Sequence, residues 1–113
     1  MRHYKVRLSA QRCRVAVREK RSLFRRSIRE IELKHLSEEG SEERLSFLTT
    51  RWVEAWSCED AGERARDAVA SELGPYLRNS IDEPIDIHVE QVEESDARTA
   101  AEASNRGFTW YSP

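Results

Sequence analysis

The sequence predicts a single α+β domain over residues 1–113. The expected architecture is a two-layer sandwich, a mainly antiparallel sheet with helices on one face, in ferredoxin-like topology. Three observations point there. Apolar and polar residues alternate with period two near the N-terminus and again at 45–56 and 85–91. A capped helix is legible at 57–73. Strand, helix and strand then follow one another across 45–93 as a βαβ unit. A chain of 113 residues forms one domain with a modest core that needs no metal or disulfide.

The first element is a strand. Tyr4, Val6 and Leu8 alternate with Lys5, Arg7 and Ser9. Cys13, Val15 and Val17 repeat the pattern one residue out of phase. A turn or bulge near Ala10–Arg12 reconciles the two, giving a hairpin or one long bulged strand. Over 20–36 the spacing predicts a helix, with Phe24, Ile28, Ile31 and His35 on one stripe. Leu33 falls off that stripe, and Ile31–His35 also alternates like a strand. Ser37-Glu-Glu-Gly-Ser-Glu-Glu then reads as an exposed connector.

Residues 45–56 form the clearest strand. Phe47, Thr49, Arg51, Val53 and Ala55 point one way, and Leu48, Thr50, Trp52, Glu54 and Trp56 the other. Its β-branched and aromatic residues suit a pleated surface. Ser57 is the natural N-cap of the next helix, with Asp60 three residues on. Cys58, Ala61, Gly62, Ala65, Ala68, Val69 and Leu73 make a small-residue apolar face, and Gly74-Pro75 ends the helix, since Gly can take the left-handed conformation and Pro cannot continue a helix. Ile85, Ile87 and Val89 then alternate, and Val92 shifts phase. A short alanine-rich helix is expected within 95–104, followed by an aromatic tail at about 105–113.

Charge is strongly polarised. Residues 1–36 hold 12 of the 19 Lys and Arg and 3 of the 21 Asp and Glu, a net of +9, and residues 37–113 carry a net of −11. The first candidate site is therefore a basic patch, Arg14, Arg18, Lys20, Arg21, Arg25, Arg26 and Arg29. It can engage a nucleic acid or an acidic protein, or be neutralised by the acidic half of this or a second chain. The second is an aromatic interface formed by Trp52, Trp56, Phe108, Trp110 and Tyr111, because exposed aromatic patches tend to be contact surfaces. The alternative for Trp52 and Trp56 is burial beneath a helix.

Catalytic chemistry finds no signature. Cys58 sits at a helix start, but Glu59, Asp60 and Glu63 oppose a thiolate, and both it and Cys13 read as buried structural thiols. His3, His35 and His88 lack metal-ligand spacing. Four glycines include no phosphate loop, and no cofactor is expected. The chain opens Met1-Arg-His-Tyr without an apolar run and has no membrane-length segment, so a cytoplasmic location is expected. These features together predict a non-enzymatic protein-interaction module that self-associates as a homodimer. The alternative is an RNA- or DNA-binding accessory protein using the arginine-rich segment 12–29.

Overall fold

The structure is a computed structural model. It describes residues 1–19, 31–102 and 107–112. The N-terminal alternation becomes one strand, β1 (Arg2–Glu19), 18 residues long. Its phase change is a β-bulge. The register with β3 (Glu42–Ala55) passes from Ala10↔Phe47 to Cys13↔Leu45, so Gln11 and Arg12 together face one residue. Arg12 takes a left-handed φ of 58°, a conformation that costs a non-glycine residue about 1–2 kcal/mol. The bulge keeps Val6, Leu8 and Ala10 on the same buried side as Cys13 and Val15; a strand without it would turn one of these sets to solvent.

β1 is the axis of the sheet. One edge carries β3. The other carries β4 (Ile87–Ser95), paired along His3–Ala10, and β2 (Ile31–Leu33), paired along Val17–Glu19. Between β4 and β2 that edge is completed by one side chain. Asn79 accepts from the Arg14 N–H at 2.9 Å and donates to the Arg12 carbonyl at 3.0 Å. The neighbouring Arg78 N–H donates to the Arg14 carbonyl at 2.8 Å. A last strand, β5 (Thr109–Tyr111), adds to β3 across Ser46–Leu48.

Helix α1 (Cys58–Leu73) links β3 to β4 and buries Ala61, Gly62, Ala65, Val69 and Leu73. The Ser57 hydroxyl accepts from the Asp60 N–H, and the Asp60 carboxylate accepts from the Trp56 N–H at 3.0 Å. That backbone bond, helped by Arg64 against the desolvation of the carboxyl, holds Asp60 below its ordinary value of 3.8. The cap's contribution is therefore present above pH 3.8 and is lost as pH falls below it. α2 (Ala97–Glu102) is short and is capped by Asp96, whose carboxylate accepts from the Thr99 N–H.

This architecture overturns the two-layer α+β sandwich and its ferredoxin-like topology. Strand makes up 49% of the structure, in a curled half-barrel sheet. Three causes stand out. Ile31–Leu33, expected to close a helix, instead pairs antiparallel with β1, setting Leu33 opposite Val17. Residues 20–30 of that expected helix lie outside the described residues, and 34–36 are neither helix nor strand. The C-terminal tail, expected as an appendage, supplies β5. The strands flanking α1 are not neighbours either, since β1 runs antiparallel between β3 and β4. Gly74 also departs from expectation: it keeps right-handed helical angles (φ −45°, ψ −46°), so Pro75 and not a left-handed glycine stops the helix.

Two stability outcomes follow. Asn79→Ala leaves the Arg12 carbonyl and Arg14 N–H without partners and should cost about 1–2 kcal/mol in urea unfolding. A Cβ on Gly62 would meet Val89 at an ordinary 3.5 Å. Gly62→Ala should therefore raise stability by up to about 1 kcal/mol through helix propensity, and a fall would show that the helix cannot approach β4 with a methyl group between them.

Candidate functional site

The two faces of β3 have different fates. Phe47 and Ala55 are fully buried and Arg51 is 6% exposed, on the side covered by α1. The opposite side carries Leu48, Thr50, Trp52 and Glu54, and Trp56 follows the strand end. Strand register sets Lys5 beside Trp52 and Glu93, Arg7 beside Thr50 and Gln91, and Ser9 beside Leu48 and His88. The Lys5 ammonium lies 6.0 Å from the Trp52 ring centroid, at the outer limit of a cation–π contact.

The five expected interface aromatics therefore separate. Phe108 and Trp110 pack against the core around Phe47, with ring centroids 5.0 and 5.4 Å from it in edge-on geometry. The tail thus closes onto its own chain. Trp52 is half-buried. Trp56 is 69% exposed and Tyr111 40%, and Leu48, absent from the sequence-derived set, is 41% exposed. Leu48, Trp52 and Trp56 continue along one side of β3, and Tyr111 joins it through its pairing with Ser46. From Ser46 to Trp56 this stripe runs roughly 34 Å at strand rise.

The basic patch is largely answered where it is described. Arg14 binds Glu83 at 2.8 Å and Arg18 meets Glu38 at 3.5 Å. Arg44 stands directly opposite Arg14, a destabilising like-charge pair. Glu83 lies between them, 3.9 Å from Arg44. Lys20, Arg21, Arg25, Arg26 and Arg29 lie outside the described residues.

Among the described residues Arg51 is the buried charged side chain, beside the buried polar Ser46 and Thr49. Its Nη1 reaches Glu72 at 2.8 Å, its Nε donates to the Thr49 hydroxyl at 3.2 Å, and its guanidinium lies 5.1 Å from the Phe108 ring centroid. The Thr49 hydroxyl in turn donates to the Gly107 carbonyl at 2.9 Å. Arg51 thereby ties β3, α1 and the C-terminal segment together. Its alternation with Phe47 and Val53 was the sequence signal for this inward position.

The cysteines differ from each other. Cys13 is buried, and burial pushes its thiol up to about 11. Cys58, expected on the buried helix face, is exposed, because the capping turn places it before the first residue that packs on the sheet. Among the described residues no group of three or more His, Cys, Asp or Glu is arranged to hold a metal ion. No described helix is long and apolar enough to cross a membrane. Comparisons with protein-family models, curated proteins and solved structures find no match to this chain.

A thiol reagent at pH 8 should modify Cys58 rapidly and Cys13 only on unfolding. Two equally fast thiols in the folded protein would contradict the burial of Cys13.

Proposed function

We propose that this protein is a non-enzymatic, cytoplasmic interaction module that self-associates as a homodimer through the β3 side opposite α1. The observation that carries this reading is the exposed apolar stripe formed by Leu48, Trp56 and Tyr111. Large exposed apolar residues gathered on one side of a sheet are the usual material of an interface core. The pairing of β5 with β3 holds Leu48 and Tyr111 in place, Trp56 follows directly after β3, and a second copy offers the same stripe under two-fold symmetry.

The ionic argument for self-association is weaker than the apolar one. Arg2, Arg14 and Arg18 reach Glu94, Glu83 and Glu38 of their own chain, which leaves fewer charges for head-to-tail pairing. The same pairs reduce support for nucleic-acid binding through segment 12–29. The cytoplasmic reading rests on two free cysteines, the form expected in a reducing compartment.

Light scattering across a concentration series tests the proposal. The wild type should form a dimer whose affinity changes little with salt, and Trp56→Ser with Tyr111→Ser should weaken it at least ten-fold while far-UV dichroism stays unchanged. A monomeric wild type, or a folded variant that dimerises equally well, would sink it. Binding of mixed oligonucleotides by the monomer would favour the nucleic-acid alternative instead.

A further inference from the structure

A groove of about 420 Å³ opens on the same side of the sheet as the apolar stripe. Its volume lies within the range of small-ligand clefts, about 300–1,000 Å³. β1 contributes Arg7, β3 contributes Leu48, Thr50 and Trp52, and the C-terminal segment contributes Gly107 and Thr109. Arg7 is the single charged residue among those described along its wall. It is exposed and makes no ion pair or hydrogen bond among the described residues. The carboxylates near it on β4 accept hydrogen bonds from other side chains. Gln91, opposite it on β4, donates its side-chain amide to Glu93, while Glu90 accepts from Ser9.

We propose that this groove binds a small planar organic anion, its phosphate or carboxylate head held by Arg7 and its ring lying against Trp52 and Leu48. The chemistry of the wall selects that class. A guanidinium presents a planar fork of donors that matches two oxygens of a carboxylate or phosphate. The Thr50 and Thr109 hydroxyls add donors that adjust to the same head group. Trp52 offers a π surface broad enough for one ring, and rings stack on tryptophan with little dependence on their substituents. Gly107 keeps the end of the groove open: it has a left-handed φ of 46°, and a Cβ there would meet nothing within 4 Å. The Thr49 bond to its carbonyl fixes that end to β3. The groove shares Leu48 and Trp52 with the apolar stripe, so a bound anion and a second copy of the chain compete for this side of the sheet, and Arg7 belongs to the groove alone.

Phenyl phosphate is the probe, titrated into ¹⁵N-labelled full-length protein and followed by NMR, with inorganic phosphate and phenol as its two halves. The expected result is saturable shifts at the Arg7 side-chain Nε and the Thr50 and Thr109 amides. Each half alone should bind at least ten-fold more weakly. Arg7→Met should reduce phenyl phosphate affinity at least ten-fold, and Arg7→Lys should retain part of it. The spectrum of each variant reports its fold in the same experiment. The proposal is overturned by shifts confined to Arg12 and Arg44, by phenol binding as tightly as phenyl phosphate, or by unchanged affinity in Arg7→Met. Repeating the titration at two protein concentrations separates it from self-association. Arg7 signals that follow protein concentration and ignore phenyl phosphate would mean that a carboxylate of a second copy fills the groove, and the small-anion site would be discarded.

Discussion

Backbone pairing along β1 is the constraint from which the rest of the molecule follows. A strand of 18 residues exposes two rows of N–H and C=O groups that cannot be left dry and unpaired. β3 satisfies one row over most of its length. The other row is shared among β4, the Asn79 and Arg78 contacts, and β2. The bulge at Arg12 bends the strand between the β4 and β2 segments and strengthens its local twist. A long central strand bent in this way favours a curled sheet over a flat two-layer sandwich. Asn79 works as a substitute for one strand residue, presenting an acceptor and a donor with the spacing of a peptide group.

The opposed charges of the two halves find one another across this sheet. Arg2 meets Glu94 where β1 and β4 pair, Arg14 meets Glu83, and Arg18 meets Glu38. These pairs are at least partly exposed, so each contributes little to stability. Their effect is on specificity of pairing. A basic first strand placed beside an acidic fourth strand disfavours registers that bring like charges together. The polarity of the sequence is thus a property of strand arrangement as much as a sign of an external partner.

Much of the local structure is legible in the sequence because it depends on neighbours a few residues apart. The phase change between Leu8 and Cys13 marks the β1 bulge, and that at Val92 marks a second one, where Glu90 is extra between Gln91↔Arg7 and Val89↔Leu8. Ser57 and Asp60 mark the start of α1, and β3's alternation separates the Phe47 side from the Trp52 side. What escapes depends on distant partners. Ile31–Leu33 carries both a helical stripe and a strand alternation, and the edge of β1 at Val17 selects the strand. Phe108 and Trp110 look like an interface until Phe47 is found beneath them. The groove is equally hidden, because Arg7, Thr50 and Thr109 are ordinary polar positions on three strands until the sheet brings them together.

The register of β1 also governs the order in which the chain can fold. His3 pairs with Ser95 and Glu54, and Ala10 with Ile87 and Phe47. β1 is synthesised well before β4, so its second edge stays open until that later strand is made. Pairings this distant in sequence make folding slow, since the loop entropy is lost before the contacts form. During that interval β1 and β3 can meet as a long, twisted ribbon with one edge bare. The arginines spaced along β1 then have a kinetic role, keeping nascent ribbons apart by mutual repulsion until the acidic strand β4 arrives to cover that edge.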